Sequence, residues 1–440
     1  ATLQATAAVS DGGLGMRRAA DAAAPALIAS CVETRPFVRS LFGQLVSLGL
    51  DPALFLGNFD ATAALAMNAL RGGISAASAA HVDRLIDEAL GAAESRMAAI
   101  TGRPPGHFNA PAAGAEAALL APMGAEDPET RETRNLQGML CAVADAERLD
   151  CLTEARRAAR DFSGARRVRE LRDPSVNHDW LWAFNPAHGA CLRPDEFVIA
   201  VRLRIGATFL NEDVACPRCA ARALDPCCAH ALCCAQGEST KGHDNVRDAL
   251  LQLASLSDPR AATEPTGLVP SRPMLRPADV LTSAAVPGSL AALDVGIMSP
   301  DARGAGDDAC AAMHDKKLKD YAAYREEMAR NGVVYCPMAF SCYGRVHPEA
   351  ASMMATLARA AARRPGLADY RPLLRRAHAN VAVQLWRRAA AMIRACLPDL
   401  PLEEQRLLLG TDPAESADVP DAVEAAGGIV ARGPLAHFAA

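Results

Sequence analysis

Apolar residues recur at three-to-four spacing through most of the first hundred positions. Leu41, Leu45 and Leu48 form one such row, and Val82, Leu85, Ile86 and Leu90 form another behind Ser75 and Ser78. A stripe with this period is what a helix presents when it buries one face, so residues 19–100 predict a helical array. Between 101 and 125 the period gives way to proline, glycine and alanine, and Gly102-Arg103-Pro104-Pro105-Gly106 predicts a linker. Helical patterning returns over 131–172, rich in arginine and acids, and again over 193–206. The second of these opens with Pro194-Asp195-Glu196 and is lined by Phe197, Ala200, Val201 and Ile205. Trp180 and Trp182 lie between the two stretches and predict a packed loop, because aromatic residues mark cores before sites.

The pattern changes after residue 243. A helix over 244–256 is followed by a loop carrying Glu264-Pro265-Thr266-Gly267, and then by two short apolar runs, 279–281 and 290–298, separated by Pro287-Gly288. Two such runs around a turn signal predict an antiparallel hairpin. A helix over 308–330, a third strand over 332–340, and helices over 350–364 and 373–397 complete the pattern, with a poorly ordered tail after 412. No internal repeat is visible.

The fold class this predicts is α+β: a mainly helical N-terminal half, a small cysteine-rich module, an α/β core and a helical C-terminal tail. The corresponding boundaries are 1–100, 101–210, 211–240, 241–348 and 349–440. At 440 residues, several domains are expected.

Composition narrows the partners. Half of the residues are apolar but only 4% are aromatic, so helices should pack in thin layers. A formal charge of -5 gives no overall field that would draw the molecule onto nucleic acid or an acidic membrane, so any such contact rests on local patches. No run is long enough to span a bilayer and no export signal opens the chain, which predicts a soluble intracellular protein. The first residue is alanine, consistent with a fragment or a processed product.

Six of the fourteen cysteines fall between Cys216 and Cys234, which favours metal over disulfides. Cys216, Cys219, His230 and Cys234 give the arrangement C-x2-C-x10-H-x3-C, two ligands on a tight turn and two beyond it, which suits a closed tetrahedral zinc site. Cys227, Cys228 and Cys233 compete for the same roles, so the ligand set stays open at this level. Four protein ligands leave no open position, and the site is expected to be structural.

Downstream stand Glu264, Asp279 and Asp294, then Lys316, Lys317 and Lys319. Magnesium-dependent phosphodiester hydrolysis needs carboxylates converging on a hard cation, plus a positive group near the attacking water. A suitable hairpin register sets Asp279 and Asp294 diagonally across two strands, roughly 7–8 Å apart, whereas a slip of one residue turns one of them away. Lys317 and Tyr321, four apart, share a helix face and can lean over the hairpin. Strand-end aspartates are also common as solvated turn residues.

The run Cys216-Pro-Arg-Cys219, Leu224-Asp-Pro226, His230-Ala-Leu, Cys234, His243, Val246-Arg-Asp-Ala-Leu250, Glu264-Pro, Gly267-Leu, Arg276-Pro-Ala-Asp279-Val, Ala292-Leu-Asp294-Val and Ser299-Pro300 resembles the region after the polymerase domain of certain non-LTR retrotransposon reverse transcriptase proteins. The resemblance spans roughly residues 192–360. It implies a CCHC zinc knuckle followed by a restriction-like endonuclease of the PD-(D/E)xK class, which nicks chromosomal DNA so that the exposed end primes reverse transcription. It further implies structural zinc, catalytic magnesium on Asp279 and Asp294, Lys317 and Tyr321 as the downstream lysine and tyrosine, and Glu264 as an accessory acid. His243, with Arg247 and Arg276, becomes a candidate nucleic-acid contact. The implied setting is a nuclear protein with a DNA target, an element RNA, no membrane, and a polymerase domain upstream in a longer polyprotein. The chain departs from the family at Gly242-His243-Asp244, at Ala229-His230, where two adjacent histidines are usual, and at Ser341, where a glutamate often stands. A catalytically inactive zinc-containing nucleic-acid-binding module is therefore the alternative.

Arginines crowd the closing helices around Trp386, among them Arg375, Arg376 and Arg387. They suit a nucleic-acid surface, and equally a solvated helix face.

Overall fold

The structure is a computed structural model and describes residues 2–46, 53–101, 135–183, 191–234, 239–363 and 369–397. The expected linker over 102–106, the tail after 412, Leu48, and the side chains of Leu41 and Leu45 lie outside the described residues. The protein is a mixed α and β molecule with a helical N-terminal half, a two-stranded sheet and a four-stranded sheet.

The N-terminal half contains α1 (Thr2–Thr6), α2 (Ala19–Val46), α3 (Ala53–Arg71), α4 (Ala76–Thr101), α5 (Leu136–Ala158) and α6 (Phe162–Leu171). Ile28 and Val32 of α2, Ala66 and Leu70 of α3, Val82 and Ile86 of α4, and Leu136 and Leu140 of α5 share one core. Much of that core is alanine and short aliphatic side chains, so the helices approach closely, each buried leucine or isoleucine contributing about 1.5–3 kcal/mol. α7 (Pro194–Ile205) leads into the small hairpin of β1 (Val214–Ala215) and β2 (Ala223–Leu224).

The larger sheet follows α8 (Ser239–Ser255). Its strands β3 (Ala262–Thr263), β4 (Val280–Val286), β5 (Ser289–Met298) and β6 (Val333–Ser341) lie in the order β3-β4-β5-β6. β4 and β5 form the expected antiparallel hairpin, turning at Pro287-Gly288, where Gly288 adopts a φ of 73° that a side chain would resist. β6 pairs parallel to β5, so the intervening chain crosses over through α9 (Ala309–Asp320) and α10 (Arg325–Arg330). The single helix expected over 308–330 is thus two. The turn at 321–324 lets Tyr321 and Tyr324 pack on the core that contains Tyr335 and Met328.

Strand periodicity assigns the two faces of β5. Ala291, Leu293 and Val295 point to a core shared with Val246 and Leu250 of α8, with Met354 and Leu357 of α11 (Pro348–Ala362), and with Val381 and Leu385 of α12 (Arg371–Cys396). Ala292 points to the other side, where Leu318 of α9 and Met328 of α10 pack. Asp294 shares the Ala292 face by the same alternation. Among the described residues, no helix is long and apolar enough to cross a membrane.

Candidate metal centre and acidic site

The cysteine-rich hairpin turns tightly. Cys216 N donates to Arg222 O at 2.9 Å, Ala220 N donates to Cys216 O at 2.9 Å, and Ala220 takes a φ of 51°. These bonds wrap the chain around Cys216 and Cys219. Asp225 accepts from Ala229 N at 2.7 Å and from Cys227 N at 3.1 Å, fixing the short helix Ala229–Cys233 that carries His230. Cys216 Sγ lies 4.0 Å from Cys234 Sγ, and Cys219 Sγ lies 3.3 Å from His230 Nε2. The four donor atoms all fall within 4.8 Å of one another. Zinc–sulfur bonds of about 2.3 Å in tetrahedral geometry separate two ligand sulfurs by roughly 3.8 Å. The donor set fits, and the cluster is able to hold a metal such as zinc.

The Cys216 and Cys219 thiols are shifted in the opposite direction from three of their neighbours. Burial raises the Cys216 thiol, but the backbone amides of Cys219 and Arg218 and the adjacent thiols outweigh it, holding the thiol below its ordinary value. The Ala221 amide and then His230 lower Cys219 in the same way. Burial pushes Cys227, Cys228 and Cys233 up. The ambiguity left by spacing resolves by geometry, because the donor atoms of Cys216, Cys219, His230 and Cys234 converge and those of Cys227, Cys228 and Cys233 do not join them. This is the one group of three or more such donors found among the described residues.

The second site lies at the end of the β4–β5 hairpin. Asp279 precedes β4 and its N donates to Leu293 O at 2.8 Å. Val280 pairs with Leu293, so Asp279 and Asp294 flank the last pair of the hairpin on neighbouring segments. Asp279 Oδ2 accepts from Val295 N at 2.7 Å, replacing the backbone acceptor that a longer β4 would offer. His243, near the start of α8, places Nε2 3.2 Å from that same oxygen and 3.2 Å from Val295 O. Two acceptors at one ring nitrogen make it the N–H donor. On the other acid, Lys317 Nζ donates to Asp294 Oδ1 at 2.7 Å and the Tyr335 hydroxyl donates to Oδ2.

The two carboxyls are pushed apart. Burial raises Asp294 beyond what Lys317 and Tyr335 offset, and the Asp279 charge raises it further. Burial also works against Asp279, but His243, the Val295 amide and Lys317 prevail and hold it below its ordinary value. His243 responds in kind: burial lowers it and the Asp279 carboxylate more than restores it, for a net rise. Asp279 is therefore the more acidic of the pair.

The remaining predicted residues are placed as follows. The Glu264 carboxylate does not join the two aspartates; it bridges Arg247 at 2.6 Å and Arg276 at 2.8 Å. Tyr321 OH donates to Arg276 O at 3.3 Å, and its ring tilts against Tyr335 at 5.0 Å between centroids. Arg375 is exposed and pairs with Asp179 at 3.0 Å, while Arg376 is exposed. Arg387 is held by Glu196 at 3.3 Å and by the Cys191 carbonyl. Trp386 is fully buried against Trp180, so it is not presented to a base. Ser341 is buried, and its hydroxyl accepts from Tyr343 N at 3.3 Å and Arg345 N at 3.2 Å, closing a turn.

Two members of the acidic site escaped the sequence reading. Tyr335 lies within an apolar strand and reads there as core. Gly296 reads as an unremarkable strand glycine, yet a Cβ on it would stand 2.6 Å from Met313 Cγ and 3.2 Å from Lys317 Cε. Its bare Cα lets α9 rest on β5. An isolated glycine in a strand was the available signal, since it marks close approach of another element. Compared with known proteins, the chain matches no family model, no curated protein and no solved structure.

Proposed function

We propose that the region from α8 to β6 is a metal-dependent DNA endonuclease and that the Cys3His cluster holds structural zinc. The observation that carries this reading is a pair of carboxyls near enough to act on each other electrostatically, Asp279 held by His243 and Asp294 held by Lys317. Magnesium asks for one or two protein carboxylates and fills its other positions with water and phosphate oxygens, which this pair suits. Asp279 Oδ1, free of the bonds that engage Oδ2, and the Asp294 carboxylate would hold it. When bound, the ion supplies Lewis acidity at a phosphoryl oxygen and lowers the pKa of water. His243 keeps Asp279 ionised and oriented. Lys317, seated on Asp294, holds positive charge where a phosphodiester would develop negative charge. By the resemblance above, the task is nicking target DNA for priming on an element RNA in the nucleus, beside a polymerase domain encoded upstream.

The test uses the full chain and supercoiled plasmid with magnesium. Asp279→Ala should abolish nicking and Lys317→Ala should slow it by about a hundredfold or more. Nicking that survives Asp279→Ala would remove the acid site from the reaction. A second reading, an inactive zinc-containing nucleic-acid-binding module, is favoured by Ser341 standing where the family often has a glutamate. It predicts no nicking by the unaltered chain together with retained nucleic-acid binding.

A further inference from the structure

A groove of about 670 Å³ runs between the α5–α6 turn and the cysteine-rich hairpin. Arg156, Arg160, Phe162 and Arg166 form one wall, and Gly206 and Pro226 lie across from them. Ser163 and Asp225 also line a second cavity of about 240 Å³, which carries the groove on to Arg222 and His230. The two cavities are neighbours that share Ser163 and Asp225, with Arg156, Arg160, Arg166 and Arg222 along them.

Three properties distinguish this groove from an ordinary solvated face. Phe162, the first residue of α6, leaves 53% of its surface in water although it is aromatic. Arg160 and Arg222 are exposed and form no ion pair among the described residues, whereas Asp161 and Asp301 Oδ1 are paired with arginines, Asp225 is bonded to backbone amides, and Asp301 Oδ2 is without a partner. Asp161 pairs with Arg156, Asp225 accepts from the amides of Cys227 and Ala229, and Asp301 accepts from Ser163 at 2.9 Å and Arg166 at 3.0 Å. The third property lies under the floor. Arg167 is 1% exposed, and its Nε and one terminal nitrogen have no hydrogen-bond partner. Its guanidinium lies against the bare Cα of Gly206, where an added Cβ would meet Nη2 at 1.9 Å. Among the described residues Arg167 has no ion-pair partner; a buried cation in that state is costly, and an anion in the groove would be separated from it by a residue with no side chain.

From these observations we infer a binding site for single-stranded nucleic acid, with phosphates on Arg160 and Arg222 and a base stacked on Phe162. A positively charged groove with an exposed ring tracks an unpaired strand because every base has a π-face, while a duplex keeps its faces stacked. The site is separate from the acidic site and does not depend on the endonuclease reading.

The zinc-loaded full chain, without magnesium, should bind fluorescent oligo-dT or oligo-U by anisotropy. Preference for one over the other says which strand is the natural one, and either supports the site. Phe162→Ala should weaken binding about tenfold. The double variant Arg160→Ala, Arg222→Ala should weaken it and reduce the slope of log K against log salt by about 1.4, or 0.7 for each phosphate no longer neutralised. All three side chains are exposed, so their removal leaves the fold intact, and an unchanged thermal melt checks this. Equal binding by the variants, an equal loss of blunt-duplex binding in the same variants, or full displacement by a mononucleotide at matched phosphate concentration would each overturn the proposal. Plasmid nicking is read separately with magnesium, so failure of either activity leaves the other standing.

Discussion

At Gly296 a hydrogen stands where other residues carry a methyl group, and Met313 and Lys317 occupy the space it leaves. The contact brings Lys317 down to Asp294, so a one-carbon change should act on the chemistry through packing. Gly296→Ala is predicted to cost about 1–3 kcal/mol in stability and to slow nicking. Thermal melts and plasmid assays on this variant, alone and with Met313→Ala to restore room, test it; a melt unchanged by the first substitution would refute the close approach. Tyr335 offers a cleaner separation. Its ring packs beside Tyr321, and its hydroxyl binds an Asp294 that is only 5% exposed. Tyr335→Phe keeps the ring and leaves a buried carboxylate oxygen short of a donor, for an expected loss of about 1–3 kcal/mol. Denaturant midpoints with an unchanged slope measure that loss, and no change would mean that water replaces the hydroxyl.

The cysteine-rich hairpin illustrates what an element of this size needs. β1 and β2 have two residues each, too few to be stable alone, and their Leu224 shares a core with Leu232, Trp386 and Ile393. Metal contributes on the order of 10 kcal/mol in isolated zinc peptides; here part of the support comes from α12. Arg218 Nε ties the knuckle to that helix by donating to Ala395 O at 2.8 Å. One zinc per chain is expected by elemental analysis. Chelation, or His230→Ala, should melt the hairpin and loosen the Trp386 environment while α2–α5 stay folded. Near-ultraviolet circular dichroism reads the tryptophan, and a spectrum indifferent to chelation would rule out a structural metal. Replacing Cys227 by serine should leave the zinc content unchanged.

Across the whole molecule, α1 and the residues after it are tied to α7 by one buried cation. Arg204 donates to Gly13 O at 3.1 Å, to Val9 O at 2.7 Å and to His178 Nδ1 at 3.0 Å, and His178 Nε2 donates to Ser10 O at 3.2 Å. Burial, and then Arg204, hold His178 down to about 4 from its ordinary 6.5. The unfolded chain therefore binds the extra proton between those values. The contribution of neutral His178 is fully present above pH 6.5 and is lost as the pH falls toward 4. His347 and His378, depressed by burial, act in the same sense, whereas the raised His243 acts in the opposite one. The prediction thus rests on a difference: the melting temperature of His178→Gln should fall less between pH 6.5 and 4 than that of the unaltered chain. Parallel curves would show that His178 is not linked to folding.

Features set within a few residues could be read from the chain alone. Val82 and Ile86 lie one helical turn apart and do enter the N-terminal core; Pro287-Gly288 does turn the hairpin; and Cys216, Cys219, His230 and Cys234 close on one another because a short loop leaves them little choice. Features that depend on where distant segments meet could not. The parallel placement of β6 brings Tyr335 to Asp294 across 41 positions, and Glu264 is drawn to Arg247 and Arg276 by opposite charge rather than to the aspartates. The exclusion of Cys228 follows from the same limit. Spacing counts residues, but which donor atoms converge is decided by how the chain packs around them.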